Sequence, residues 1–98
     1  MGKLSGKQAI VFGGAGLLGF EMCKALGKAG ATVFMQDKDY EKAQHLTDHL
    51  ISQGIACKAL FGDITNPVEL KSAIGVAVSV QDHLDVVAGL LPGLRQQV

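Results

Sequence analysis

Neither sign of charge is in excess in this 98-residue chain: nine Lys and Arg balance nine Asp and Glu, and no basic run stands out. Nucleic acid and anionic membrane are therefore not expected as partners, because both are gripped through concentrated positive charge. Any phosphate must then be held by backbone amides rather than by a Lys/Arg cluster. Cysteine is scarce as well. Cys23 and Cys57 stand far apart without CxxC spacing, which reads as two reduced, partly buried thiols in a cytoplasmic protein. Long apolar runs are missing too: the stretch after Gln8 is broken by Gly13, Gly14 and Gly16, and the leading MGKLSGK carries charge but no apolar segment. Neither a signal peptide nor a membrane span is expected. There is no internal repeat and no low-complexity segment.

What is present is apolar content in short pieces. Hydrophobic residues make up 48% of the chain, a rich supply for so small a domain. Either the core is unusually full or a second copy of the chain covers some of that surface. Ala9–Phe12 is a short continuous apolar run and reads as a buried parallel strand. Leu17–Ala29 reads as a helix with Leu18, Met22, Leu26 and Ala29 on its inner stripe, extended by Cys23 and Ala25, and with Gly30 as its stop. Thr32–Gln36 is a second strand. Tyr40–Gln53 is a second helix with Tyr40, Ala43, Leu46, Thr47, Leu50 and Ile51 inward, ended by Gly54. Ile55–Phe61 is a third strand with Lys58 as its exposed exception. Asn66 caps a third helix that opens on Pro67, carries Glu69 in its first turn, and runs to about Val78 with Gly75 as a weak point. His83–Val87 is a fourth strand. The β-α-β-α-β-α-β rhythm specifies an α/β fold, Rossmann-like, with four parallel strands in the order 3-2-1-4 and three helices, two on one face of the sheet and the third on the other. The whole of 1–98 forms one domain, with a core over about 7–87 and a tail over 88–98.

The first strand runs into Gly13-Gly14-Ala15-Gly16-Leu17-Leu18-Gly19, and this loop opens the first helix. Gly13, Gly16 and Gly19 recur at every third position. Gly13 suits a tight turn, Gly14 to Gly16 allow a pyrophosphate to approach the backbone, and Gly19 lets the helix lie close on the strand. The amides around Leu17 and Leu18 point at the phosphates. Asp37 follows the second strand, 18 residues after Gly19, where a carboxylate can accept from the adenosine ribose hydroxyls and repel a 2′-phosphate. The expected cofactor is NAD rather than NADP. His45 and His49 lie four apart on the second helix, but no third ligand stands near, so they read as solvated surface. His83 reads as a turn residue, and Cys23 as an inert thiol.

With these residues in place, the chain resembles the short-chain dehydrogenase/reductase family. The matching segments are LSGKQAIVFGGAGLLG, GATVFMQD, GDIT at Gly62–Thr65, and HLDVV. The glycine spacing looks like the extended branch; the LSGK lead and GDIT look like the conventional branch. The resemblance implies that Asp63 contacts the adenine ring and that Ile64 packs near it. The chain also departs from the family, which usually carries Thr in place of Phe12 and an Asn-Asn-Ala-Gly segment where this chain has Ala88-Gly89-Leu90-Leu91. The family's Ser and Tyr-x-x-x-Lys have no counterpart, since the single tyrosine, Tyr40, is followed four residues later by Gln44. No acid–base pair can be drawn, so no catalytic residue is expected. The chain reads as the N-terminal half of such a domain with a divergent or truncated C-terminus. The leading expectation is an NAD- or ADP-binding unit that is not catalytic alone. The alternatives are an NAD-dependent oxidoreductase completed by a partner chain, and an interaction module that has lost its ligand. A homodimer is expected, through the fourth-strand edge or through uncovered apolar faces.

Overall fold

A computed structural model of the chain describes residues 2–81 and 85–89. Its elements are β1 (Gln8–Phe12), α1 (Leu17–Lys28), β2 (Thr32–Asp37), α2 (Tyr40–Ser52), β3 (Cys57–Phe61), α3 (Pro67–Gln81) and β4 (Val86–Gly89). The strands form one parallel sheet in the order β3-β2-β1-β4, a Rossmann-like αβα arrangement. β1 lies between β2 and β4, with Ile10 opposite Phe34 on one side and Val87 on the other. β2 continues to β3, with Asp37 opposite Phe61. Every residue of β1 is buried, as a central parallel strand covered on both faces must be.

Alternation along the strands divides the core in two. Ala9, Val11, Val33 and Met35 point toward α1 and α2 and pack with Cys23, Ala43 and Leu50. Ile10, Phe12, Phe34 and Leu60 point toward α3 and pack with Ala73. Two helices thus cover one face and the third covers the other, as the chain rhythm implies. Asn66 caps α3: its Oδ1 accepts from the amides of Val68 at 2.9 Å and Glu69 at 3.4 Å. Gly30 and Gly54 follow α1 and α2 in left-handed conformations, with φ of 104° and 84°. Lys58 is exposed on β3 as expected, but so is Phe61 at the end of the same edge strand.

The inner faces of two helices differ from the sequence expectation. On α1 the buried positions are Gly19 and Cys23, while Leu18 and Ala25 are exposed. Met22 and Leu26 flank the contact, partly buried. The cause is the missing side chains of two glycines. A Cβ on Gly19 would collide with the backbone of Gly13, and one on Gly27 would collide with Ile55 Cγ2. The helix therefore presents its smallest stripe, Gly19-Cys23-Gly27, and its larger residues sit to either side. On α2, Ala43, Thr47 and Leu50 are buried, but Tyr40 and Ile51 are exposed. Ile51 is turned about 100° from the buried Leu50 and so leaves the inner stripe. Tyr40 turns outward, meeting Phe61 edge-to-face at 5.9 Å and donating from its hydroxyl to Gln44 Oε1 at 3.1 Å.

Element ends also move, by one residue at β1, α1, β2 and α2 and by more at β3, α3 and β4. β3 begins at Cys57, because Ile55 still belongs to the turn and donates its amide to Leu50 O. α3 continues through Gly75 to Gln81; one glycine costs a helix only about 1 kcal/mol. β4 is Val86–Gly89 rather than His83–Val87. Asp85 stands ahead of it, donating its amide to Gln8 O at 2.8 Å while its Oδ2 accepts from Gln8 N at 2.8 Å. His83 and the tail from Leu90 lie outside the described residues. Among those described, no helix is long and apolar enough to cross a membrane.

Candidate nucleotide-binding cleft

The chain crosses from strand to helix at the carboxyl ends of β1, β2 and β3, where open parallel sheets place their ligands. The glycine loop leaves β1 through Gly13, whose φ of 70° is left-handed. Gly16 N donates to Gly13 O at 3.0 Å and closes the turn. The first α1 hydrogen bond then runs from Phe20 N to Gly16 O at 2.8 Å. The amides of Leu17, Leu18 and Gly19 therefore precede the helical ladder, and Gly16 brings no side chain to cap them. This is the arrangement that offers N–H groups and the positive helix end to an anion. Phe12, Gly13, Gly16, Leu17, Leu18, Gly19 and Met22 together line a concavity of about 150 Å³. Leu17, 90% exposed, stands at its lip.

The glycines have separate tasks. Gly19 meets the loop at Gly13 and Gly14, which seats the helix close. Gly14 turns away from solvent. Its amide donates to Gln36 O at 2.9 Å, and a Cβ there would lie 2.5 Å from Met35 Cγ and 3.3 Å from Cys23 Sγ. Its lack of a side chain serves packing against the core, in contrast to the ligand-facing part expected of it.

A second concavity, of about 220 Å³, adjoins the loop. It is lined by Gly13, Gln36, Asp37, Lys38, Gly62, Asp63, Ile64 and Thr65. Gly13 belongs to both spaces. Asp37 Oδ2 accepts from Ala15 N at 3.1 Å and Oδ1 from Asp39 N at 3.0 Å, so the carboxylate is fixed in orientation and each oxygen keeps acceptor capacity. Asp63 Oδ1 accepts from the Thr65 hydroxyl at 2.7 Å and the Thr65 amide at 3.0 Å. Those two bonds, and the nearby Lys38, hold the exposed Asp63 carboxyl below its ordinary value. Asp63 N in turn donates to Glu69 Oε1 at 3.1 Å. Behind the loop, burial pushes the Cys23 thiol up to about 12, with Cys57 adding to the effect. Neither cysteine is in a disulfide, and a thiol so raised is a poor nucleophile.

The structure thus brings Gly13, Asp37, Asp63 and Ile64 to one cleft, and Gly16, Leu17, Leu18 and Gly19 to the space beside it. Sequence reasoning missed Gln36, Lys38, Gly62 and Thr65. The first two adjoin Asp37, and Gly62 and Thr65 bracket Asp63, so chain proximity was an available signal. His49 lies with its ring 6.3 Å from that of Phe20, away from the cleft, and no cluster of three metal-ligating side chains occurs among the described residues.

A parallel sheet with a glycine-loop βαβ start and an acidic residue closing β2 defines the dinucleotide-binding Rossmann class. Residues 7–90 match the short chain dehydrogenase family, and the chain belongs to it. Cyclopentanol dehydrogenase of Comamonas testosteroni is 31% identical over 94 residues, covering 93% of this chain and 38% of that protein. The crystal structure of an Escherichia coli hydroxysteroid dehydrogenase superposes with a TM-score of 0.84 at 30% identity, over 88% of this chain and 37% of that one. A 3-ketoacyl-(acyl-carrier-protein) reductase from Brucella melitensis, complexed with NADH, gives 0.78 at 28% identity, over 87% and 34%. This chain therefore spans little more than a third of the relatives it matches. Members of the family bind NAD(P)(H).

Proposed function

We propose that the cleft binds the adenosine-diphosphate part of NAD and that these 98 residues hold the nucleotide without transferring hydride. One observation carries the reading: Gly13, Asp37 and Asp63, far apart in the chain, line a single cleft at the carboxyl ends of the strands. In this reading the amides of Leu17, Leu18 and Gly19 receive the pyrophosphate, Asp37 accepts from the ribose hydroxyls, and Asp63 and Ile64 border adenine. NAD supplies a hydride-accepting nicotinamide ring, and no side chain named here is assigned to that ring. The 98 residues contain no Tyr-x-x-x-Lys, so the proton transfer that hydride chemistry needs has no donor pair.

Charge-assisted hydrogen bonds contribute roughly 1.5–3 kcal/mol each, and a 2′-phosphate would face the Asp37 carboxylate. NAD is expected to bind at least about tenfold tighter than NADP on that estimate, and Asp37→Ala is expected to narrow the gap. Calorimetric titration of both nucleotides tests this; equal affinities for the unaltered chain would contradict it. Family membership favours a second reading, an oxidoreductase completed by groups from another chain. Oxidation of NADH with carbonyl compounds by the chain alone would establish activity and displace the binding-only reading. Exposed Val68 and Val76 on α3 support self-association through the apolar faces, with the fourth-strand edge as the other route. A stable monomer in sedimentation at micromolar concentration would contradict that part.

A further inference from the structure

Gln36 is out of place by composition: an uncharged amide, 1% exposed, in the middle of the sheet between Phe12 of β1 and Leu60 of β3. A buried amide is costly unless it is hydrogen-bonded. Gln36 is bonded on two sides of the cleft. Its main-chain carbonyl accepts from Gly14 N at 2.9 Å, which holds the glycine loop. Its side-chain Nε2 donates to Gly62 O at 2.5 Å, which holds the turn that carries Asp63 and Ile64. Gly62 itself is buried with a φ of 152°, a conformation that glycine adopts and other residues rarely do. Glu69 and Asn66 tie the turn to α3 through Asp63, and the Gln36 amide is the side-chain bond that ties it to β2 and so to the glycine loop.

We infer that Gln36 is a positioning residue: its side-chain amide sets the Gly62–Thr65 turn against the glycine loop, so that the Asp63 carboxylate meets the base and the cleft selects a 6-aminopurine over a 6-oxopurine. This rests on the nucleotide-binding reading. The chemistry is that a carboxylate accepts from an exocyclic amino group and repels a carbonyl oxygen at the same place. The inference separates the two roles of the residue, because the loop is held by a main-chain group that survives substitution and the turn by a side chain that does not.

The test uses the full chain and Gln36→Met, which keeps the length and bulk of the side chain and removes the donor. Thr47→Val is the control: it removes a buried hydroxyl from α2, bonded to Met35 Sδ at 3.8 Å, away from the cleft. In the ligand-free protein, amide exchange at Asp63 and Thr65 is expected to speed by about tenfold or more in Gln36→Met relative to Thr47→Val, as a locally released turn would. Unchanged exchange overturns the tether. With ligand, the unaltered chain is expected to prefer NAD to nicotinamide hypoxanthine dinucleotide, and Gln36→Met to lose at least about two thirds of that preference while Thr47→Val keeps it. A preference retained in Gln36→Met overturns the base-selecting role. If neither dinucleotide binds the unaltered chain, the nucleotide reading and the base-selecting role fall together, and the exchange result still decides the tether.

Discussion

The two walls of the cleft are held by different means. The glycine-loop wall is backbone throughout. A left-handed Gly13, the bond from Gly16 N to Gly13 O, the bond from Gly14 N to Gln36 O, and the close seat of Gly19 leave side chains little to do except for Asp37, which accepts from Ala15 N. The facing wall, Gly62–Thr65, is side chain work. Thr65 fixes the Asp63 carboxylate, Glu69 holds the Asp63 amide, and Gln36 holds the Gly62 carbonyl. A wall made of backbone geometry accepts few substitutions and changes all at once. A wall made of side-chain bonds can be altered one contact at a time.

Gly19→Val is the harshest way to break the first wall. Its Cβ would enter the backbone of Gly13, and overpacking of a closed contact typically costs about 1–3 kcal/mol, occasionally more. A loss near the upper end, about 3 kcal/mol, is expected in urea denaturation, with nucleotide binding abolished. An unchanged midpoint would mean that helix and loop are not seated as described. Gly13→Ala sharpens the point. Nothing lies within 4 Å of a Cβ there, so the cost is conformational alone, about 1–2 kcal/mol for a left-handed residue. A loss equal to that of Gly19→Val would show that crowding is not what distinguishes the two glycines.

The second wall predicts a local effect. Thr65→Val removes the hydroxyl donor from Asp63 Oδ1 and is expected to raise the Asp63 pKa toward its ordinary value, read by carboxyl carbon NMR against pH. The sign follows from the direction of the shift. A carboxyl lowered in the folded state contributes stability that is present above its unfolded value and is lost as pH falls through the folded one. Thr65→Val should therefore be less stable than the unaltered chain at neutral pH, lose less as the pH falls, and converge with it once Asp63 is protonated in both. An Asp63 titration identical in both proteins would contradict the assigned cause.

The same contrast explains what was legible in the sequence. Gly13, Gly16 and Gly19 announce themselves by spacing, and Asp37 by its place after an apolar strand, because each signal lies along the chain. Gln36 does not, since its partner is 26 residues away and a polar residue closing a strand looks unremarkable alone. The parallel Rossmann-like class was legible from the alternation of elements. The inner face of α1 was not, because a helical stripe is counted by its large apolar residues, whereas this helix makes contact through Gly19 and Gly27, where side chains are missing. Tyr40 is misleading for a related reason: it is apolar enough to count as core, but Phe61 offers it a partner outside.

The proposed function assigns both walls to the adenosine-diphosphate side, and titration of ADP-ribose against NAD tests that claim most directly. The account predicts that the two bind the 98-residue chain with similar affinity, in roughly the high-micromolar to millimolar range of an open site. NAD binding more than about tenfold tighter, a difference of about 1.4 kcal/mol, would show that the chain grips the nicotinamide end as well and would contradict the account.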